Sequence, residues 1–571
     1  MRNRALRFAA YGLIGVVVGL VVAAFDRFTV EFLLLEITDG PLWVQATGPL
    51  VGLVLAAVVL RFLGFGMGGA TSEELIRAYH ARGNRLALRY LPGRLLAGAA
   101  TMGFGGALGL EGPSLYAGGT IGASVQQRLR WLFADKDNRM LMVAGAAAGV
   151  AAVFKTPATG VLFALEVPYQ GDVARRALLP ALIASATSYL TFVTFLGTDR
   201  IFDPEQVVTV GGVTEDQTII RQIDVSFDLT ELAAAAALGA IAGLGALLFA
   251  RLVRHAKRVE TSVPWWPRVA GAGLVLGALA VASHHLFDAP LTLGPEGGET
   301  LFNYVVNPQD EPALALLLAL FAMRLLATMA TMAGGGVGGI FIPLALLGLV
   351  LGRIAGEILE RGDLIDAQSA AGLFPAVGIA AFLGAGYRTP LASIMFVAES
   401  TGQAGFVVPA LIAAAVGQVV MGGNSVSAFQ RATRIGHLEA RFRLPISAAL
   451  LTDVQTVPPD RSVQAWVWDD ALPHRLSNAP VVDGERYCGM VHLADATEID
   501  RAHWSDVTVG QVMRTATPTA RLTWDLGRCA AIMEEEDLET LAVVGEDDRF
   551  LGVVTDDAIL RLDEIIDDTR R

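Results

Sequence analysis

The chain carries the same glycine- and proline-interrupted apolar pattern twice. Ala100-Thr101-Met102 recurs as Ala330-Thr331-Met332, and Pro113 recurs as Pro343, in each case 230 positions later. Paired, broken apolar segments of this kind indicate an internal duplication, and they are typical of transporters whose binding site lies between two repeats. The pattern therefore predicts two similar halves that meet at a shared centre.

The first copy contains a restarted helix with a carboxylate at its beginning. Five glycines lie among the ten residues Gly103–Gly112, which makes a poor helix interior, whereas Pro113 suits the first turn of a new helix. Glu111 therefore lies at a helix start, where backbone N–H groups and the helix dipole favour an anion. The alternative is a tight crossing of helices that needs small residues, with Glu111 bonded to a neighbouring segment.

The second copy favours a site over simple packing. At the same offset Glu111 corresponds to Phe341, so one half brings an ionisable side chain and the other an aromatic ring, each at a helix start. If the glycines served only helix packing, a duplication would repeat them but would not need to repeat the prolines. An ionisable side chain inside a membrane segment is itself a functional hypothesis. We therefore predict an anion site between the halves.

Composition places these segments in a membrane. The 571 residues are 53% hydrophobic and 17% charged, which is typical of a polytopic membrane protein. Several apolar segments are shorter than the roughly 20 residues that span a bilayer, as expected for half-helices. Arg2, Arg4 and Arg7 precede the first apolar run, so we expect a cytoplasmic N-terminus and an uncleaved first helix. The two cysteines, Cys488 and Cys529, provide no disulfide framework.

The chain changes character towards its C-terminus, where charge density rises and apolar runs shorten. This change predicts a separate soluble domain that contains two similar units, each with a helix, a strand, a turn, a second strand and a helix. The expected limits are 1–443 for the membrane domain, about 1–198 and 231–440 for its halves, 444–571 for the soluble domain, and about 444–505 and 506–571 for its units.

Three polar stretches interrupt the membrane domain. Thr71–Gly93 predicts a short amphipathic helix and a loop at the membrane interface. Thr198–Thr230 alternates apolar and polar residues and predicts a partly extended connection between the halves. Ser283–Glu311 is rich in glycine and proline and predicts a loop. None of the three stretches suggests a functional site.

Two motifs and their spacing resemble the CLC family of chloride channels and chloride/proton exchangers. They are Gly109-Leu110-Glu111-Gly112-Pro113 and Gly339-Ile340-Phe341-Ile342-Pro343. The two C-terminal units resemble a CBS-domain pair. The resemblance implies an all-α polytopic membrane protein with inverted repeats and broken half-helices, together with a cytoplasmic α/β CBS pair. It also implies a homodimer in the lipid bilayer of the cell membrane, with one chloride or small-anion pathway per subunit.

The resemblance assigns roles to several residues. The gating glutamate of the family falls on Glu111, whose carboxylate occupies the anion site when no chloride does. The anion-contacting positions are Gly109, Gly112, Ile340, Phe341 and Ile342, and backbone amides there supply partial rather than full positive charge, which suits fast release. Lys155 and Arg388 precede Thr-Pro in both repeats and either concentrate anions in the vestibules or sit at the membrane interface paired with an acid.

The departures from the family pattern decide the expected mechanism. The inner proton-transfer glutamate of the exchangers falls on Val167, which favours passive conduction over exchange. The first anion-contacting loop falls on Gly66, Met67 and Gly68, so a serine hydroxyl is missing, and the inner-gate tyrosine falls on Val426. These losses suggest an inner pathway that is wider or less selective for chloride. The alternative is a chloride/proton or fluoride/proton antiporter, since methionine at that loop position also resembles the fluoride-exporting branch.

The CBS units offer only weak ligand signals. CBS pairs often bind adenine nucleotides through a hydroxyl and an acid three residues later. The first unit has the acid, Asp495, but His492 at the hydroxyl position. The second unit has the hydroxyl, Thr555, but Ala558 at the acid position. We therefore expect no cofactor and a structural role that stabilises the dimer, with adenine-nucleotide binding by the CBS pair as the alternative. No metal spacing, catalytic motif or nucleic-acid patch stands out, so an enzyme is not expected. A membrane sensor that regulates a partner through the CBS units is a further alternative, but it leaves Glu111 unexplained.

Overall fold

The computed structural model of the chain falls into two compact units. Their limits are Met1–Arg434 and Ile435–Arg571. The first unit is helical, and the second contains short strands and helices. The structure describes residues 2–81, 86–197, 209–210, 213–214, 229–295, 298–306, 312–432, 442, 444–536 and 538–559. The domain and repeat limits expected from the sequence remain predictions.

Seventeen described helices build the first unit, and nine helical segments in the described part of the chain are long and apolar enough to cross a membrane. The helices are α1 (Arg2–Thr29), α2 (Leu35–Thr38), α3 (Leu42–Phe62), α4 (Thr71–His80), α5 (Leu91–Gly103), α6 (Glu111–Arg128), α7 (Asn138–Phe154), α8 (Pro157–Glu166), α9 (Leu178–Leu196), α10 (Leu229–Ser262), α11 (Trp265–Phe287), α12 (Gly298–Val306), α13 (Leu314–Ala333), α14 (Phe341–Glu360), α15 (Phe374–Tyr387), α16 (Pro390–Thr401) and α17 (Val407–Met421).

The two copies of the sequence pattern fold alike. In the first, α5 is followed by a glycine loop and then by α6, α7 and α8; in the second, α13 is followed by a glycine loop and then by α14, α15 and α16. α7 and α15 both end at a residue in the left-handed conformation, Lys155 (φ 55°) and Arg388 (φ 58°). The Thr-Pro pair that follows starts the next helix, because proline is well tolerated in a first turn. The predicted repeat of broken helices is confirmed.

Glycines allow the helices of each repeat to pack closely. A Cβ atom on Gly118 of α6 would collide with the backbone of Gly145 in α7, and the reverse also holds. In the second repeat Gly348 of α14 and Gly378 of α15 make the equivalent approach. Small residues at such crossings bring backbones together where no hydrophobic effect drives helix association.

The predicted loop Ser283–Glu311 is partly wrong. The first residues of this stretch belong to α11, which continues to Phe287, and α12 forms further along the same stretch. Leu301 and Val305 lie one helical turn apart in α12 and are fully buried, so apolar side chains at helical spacing stabilise a helix that the flanking Gly and Pro residues obscured. Most of the predicted connection Thr198–Thr230 lies outside the described residues; its described strands, β1 (Thr209–Val210) and β2 (Val213–Thr214), pair antiparallel.

The second unit contains two small sheets and short helices. β3 (Asn478–Asp483) pairs antiparallel with β4 (Arg486–His492). β6 (Thr540–Val544) pairs parallel with β5 (Thr519–Arg521) and antiparallel with β7 (Phe550–Thr555). The described α-helices are Val463–Ala465, Leu472–His474, Leu493–Thr497, Val509–Val512 and Leu526–Glu535, and a π-helical turn, Trp466–Ala471, joins the first two.

The two halves of this unit exchange equivalent contacts. Leu451, which precedes the strands of the first half, pairs with Val553 in β7 of the second half. Arg514, which precedes the strands of the second half, pairs with Met490 in β4 of the first half. The reciprocal pairing gives the unit an approximate two-fold arrangement. It explains why the two halves form one compact body.

Candidate anion site

Two helix starts, one from each repeat, meet at the centre of the membrane unit. Gly109 N–H donates to the Gly339 carbonyl at 2.8 Å, and Gly339 N–H donates to the Gly109 carbonyl at 2.7 Å. The bridge is antiparallel, as a two-fold relation between the repeats requires. It holds the beginnings of α6 and α14 side by side.

The Glu111 carboxylate lies at the N-terminus of α14. Its Oε1 accepts a hydrogen bond from Phe341 N–H at 2.7 Å, and the residue is 1% exposed. A Cβ atom on either Gly109 or Gly339 would collide with this carboxylate, so only glycine leaves room for it. The carboxylate thus fills the place where the amide groups and dipole of α14 favour an anion.

Aromatic rings surround the start of α14. The Phe341 ring lies 4.6 Å from the ring of Phe154 and 5.0 Å from the rings of Phe163 and Phe396, between centroids. Edge-to-face and tilted pairs of this kind pack tightly and exclude water. The N–H groups at this helix start therefore act in surroundings that strengthen their electrostatic effect.

A cavity of about 370 Å³, open part included, adjoins the amides of Gly338–Ile340. Glu73 and Lys257 form a salt bridge within its lining, so their charges largely cancel. The remaining polar lining consists of hydroxyl groups, which offer hydrogen bonds without a net charge. The other lining residues are Ala70, Thr71, Ser72, Ile76, Met332, Tyr387, Val426 and Ser427.

The family of the chain is decided by its match to known sequence profiles. A profile described as voltage gated chloride channel matches residues 51–422, and a CBS domain profile matches residues 509–564. The chain belongs to the voltage gated chloride channel family. Its function is therefore anion transport of the CLC kind, and the predicted resemblance is confirmed.

Solved structures with a similar fold include three CLC proteins. A CLC-type fluoride/proton antiporter has a TM-score of 0.57 and 23% identity, covering 75% of this chain and 98% of that one. A slow cyanobacterial Cl⁻/H⁺ antiporter has a TM-score of 0.60 and 21% identity, covering 73% of this chain and 95% of that one. A eukaryotic CLC transporter has a TM-score of 0.59 and 18% identity, covering 97% of this chain and 98% of that one. At these identities the likeness shows the fold alone.

The start of α4 contributes to the site of this CLC protein, although the sequence pattern around it suggested no chemistry. Thr71, Ser72 and Glu73 line the cavity, although the sequence suggested no functional site in Thr71–Gly93. Residues 66–68, where the sequence placed the first anion loop, are absent from the lining that the described residues form. The overlooked signal is a third glycine-to-helix transition that is followed at once by hydroxyl side chains.

Tyr387 is a second site residue that the sequence did not reveal. It ends α15, is fully buried, and lies in the cavity lining beside Val426. Its ring packs edge-on against Phe163 at 5.3 Å, and it shares the cavity lining with Ser72. A phenolic hydroxyl is therefore present in this CLC cavity, although the predicted inner-gate position holds valine.

Crossed carboxylates join the repeats at a second place. Glu166, at the end of α8, accepts hydrogen bonds of 3.2 and 2.8 Å from the first amides of α16. Glu399, near the end of α16, accepts bonds of 3.0 and 2.7 Å from the first amides of α8. Val167 follows Glu166, is fully buried, and accepts a hydrogen bond only through its backbone carbonyl, from Gln430 at 2.9 Å. Its isopropyl group carries no proton.

The two basic residues that precede Thr-Pro have different surroundings. Arg388 donates from Nε to the Gln170 carbonyl at 3.1 Å and from Nη1 to the Gly422 carbonyl. Lys155 lies close enough to Asp26 for their charges to interact. Neither residue belongs to the cavity lining formed by the described residues. The vestibule role and the interfacial role of the two residues both remain predictions.

The CBS residues proposed for a nucleotide are engaged in local contacts. The Asp495 carboxylate accepts two hydrogen bonds from Arg514, at 2.9 and 2.6 Å. The Thr555 hydroxyl accepts a hydrogen bond from Ala558 N–H at 3.1 Å and so caps the following helical turn. Burial, together with the Arg514 charge, lowers the pKa of His492.

Proposed function

We propose that the protein is a passive chloride channel of the CLC family, gated by Glu111. The observation that carries this proposal is the 2.7 Å hydrogen bond from Phe341 N–H to the Glu111 carboxylate. A carboxylate and a chloride ion compete for the same amide and the same helix dipole. When the carboxylate is protonated or swings away, chloride takes its place and the pathway opens.

The passive mode is inferred from Val167. The exchangers of the family place a proton-transferring glutamate at this position, and a buried valine side chain neither accepts nor donates a proton. Glu166 is no substitute, because both of its oxygens accept hydrogen bonds from the start of α16. Chloride therefore crosses without a coupled proton.

The polar groups of the pathway suit rapid passage. Amides at the start of α14 and hydroxyls of Thr71, Ser72 and Tyr387 offer partial positive charge, and the nearby Lys257 charge is balanced by Glu73. An anion bound by dipoles alone is held weakly enough to leave again. We further infer from the family a homodimer in the cell membrane, with a cytoplasmic N-terminus and a cytoplasmic CBS pair of structural role.

A second candidate is proton-coupled antiport of chloride or fluoride. One observation favours it: Ser72, Glu73 and Tyr387 line the same cavity, next to the start of α14. A series of neighbouring hydroxyl groups can relay a proton between the cavity and Glu111. Two of the compared structures are antiporters, one for fluoride and one for chloride.

The gate is tested by chloride efflux from proteoliposomes containing the wild-type protein or Glu111→Gln. The neutral amide mimics the protonated carboxyl, so we expect efflux to rise and to lose its dependence on pH. Glu31→Gln is the matched control, because Glu31 makes only an exposed ion pair with Arg27. If Glu111→Gln conducts like the wild type at every pH, Glu111 is not the gate.

A further inference from the structure

Thr101 and Thr331 occupy equivalent positions in the two repeats, next to the anion site but outside it. Each lies near the end of the helix that precedes a glycine loop, and each is 0% exposed. Each hydroxyl donates a hydrogen bond within its own helix: Thr101 to the Ala97 carbonyl at 2.9 Å, and Thr331 to the Ala327 carbonyl at 2.8 Å. The donated bonds fix the direction of both oxygen lone pairs.

The lone pairs of these hydroxyls serve the opposite repeat. Thr331 Oγ1 accepts a hydrogen bond from Ala107 N–H at 3.1 Å, and Thr101 Oγ1 accepts one from Val337 N–H at 3.0 Å. Ala107 lies two residues before Gly109, and Val337 two residues before Gly339. Each threonine therefore anchors the loop of the other half immediately before the Gly109–Gly339 bridge.

We infer that Thr101 and Thr331 are positioning residues for the anion site. Glycine dominates both loops, so few side chains are available to fix their backbone conformation. Glycine itself leaves the backbone conformationally free. The two crossed hydroxyl bonds and the bridge together set the separation of α6 and α14, and hence the alignment of the α14 amides that bind the anion. The inference rests on the proposed function, because it treats the start of α14 as an anion-binding site.

Hydroxyl chemistry separates positioning from ordinary packing. Valine matches threonine in shape but offers no acceptor, whereas serine keeps the acceptor and loses only a methyl group. Thr328 provides the matched control: it lies on α13 one turn before Thr331, is 1% exposed, and donates to the Arg324 carbonyl of its own helix at 2.9 Å. A valine there removes a buried threonine hydroxyl without touching either glycine loop.

The experiment compares chloride and fluoride efflux from proteoliposomes for the wild type, T101V, T331V, T101S, T331S and T328V. Thermal unfolding midpoints are measured on the same samples. We expect T101V and T331V each to lose about tenfold in chloride efflux, as the loss of a buried acceptor implies, and to change the chloride-to-fluoride ratio. The serine variants and T328V stay within about twofold of wild type in chloride efflux and in the chloride-to-fluoride ratio.

Two results overturn the inference: valine variants that match T328V in efflux and ratio, or serine variants as impaired as the valine variants. If T331V does not give a monodisperse protein, T331C replaces it, because sulfur is a weak acceptor of similar size and predicts an intermediate loss. An unchanged ratio in T331C again overturns the inference. A wild type without anion flux overturns the proposed function itself, which distinguishes the two failures.

Discussion

The Glu111 carboxylate accepts a hydrogen bond from the backbone N–H of Phe341, 230 positions further along the chain, at 2.7 Å. The contact joins the start of α6 in one repeat to the start of α14 in the other. The carboxylate stands where a helix N-terminus attracts an anion, so it and an incoming anion compete for the same place.

Gly109→Ala is expected to release the gate. The three atoms nearest to a Cβ atom at Gly109 all belong to the Glu111 side chain, so the carboxylate must leave the start of α14. Chloride efflux at neutral pH should rise about tenfold, which corresponds to the loss of one hydrogen bond to a charged group. Gly271→Ala is the control, because a Cβ atom there meets nothing within 4 Å. Efflux that stays at or falls below the wild-type rate would count against the gate.

Tyr387→Phe is expected to weaken anion passage without unfolding the protein. The phenyl ring keeps its contact with Phe163, but the cavity loses a hydroxyl donor. We expect chloride efflux to fall about fivefold, the effect of one neutral hydrogen bond. Tyr189→Phe on α9 serves as control. Equal efflux from the two variants would show that the Tyr387 hydroxyl is not part of the pathway.

Glu399→Ala is expected to destabilise the membrane unit. The carboxylate accepts bonds from two amides and from the Thr159 hydroxyl, at 2.7 to 3.0 Å, so its removal leaves the start of α8 unsatisfied. The cost should be about 2 kcal/mol, against less than about 1 kcal/mol for the exposed Glu31→Ala. Thermal unfolding of the detergent-solubilised protein measures both. If the unfolding midpoint of Glu399→Ala shifts no more than that of Glu31→Ala, the crossed carboxylates do not stabilise the membrane unit.

The C-terminal unit is expected to lose stability as the pH falls below about 6.5, the ordinary pKa of histidine. Burial and Arg514 lower the pKa of His492, so the folded state binds the proton less readily than the unfolded state does. The contribution of His492 is thus present above pH 6.5 and declines below it. Unfolding of the wild type and His492→Gln across this range, by tryptophan fluorescence, provides the measurement. If both proteins lose stability equally on acidification, His492 is not the cause.

The sequence predicted the centre of the site better than its walls. Glu111 and Phe341 were recognisable because a duplicated Gly/Pro pattern marks helix starts locally. Thr71, Ser72 and Tyr387 converge on the cavity from α4 and α15, and no local pattern shows which distant helix ends meet. Thr101 and Thr331 were visible as repeat markers, but their hydrogen bonds cross between the repeats and exist only in the folded protein. α12 was missed because glycine and proline flank it.

The most direct test of the central claim is the simultaneous recording of chloride efflux and proton movement in one suspension of proteoliposomes that contain the wild-type protein. The account predicts chloride efflux without a fixed proton movement, because Val167 occupies the relay position and Glu111 serves only as a gate. A constant ratio of protons to chloride ions, maintained against a proton gradient, would contradict passive conduction and establish antiport.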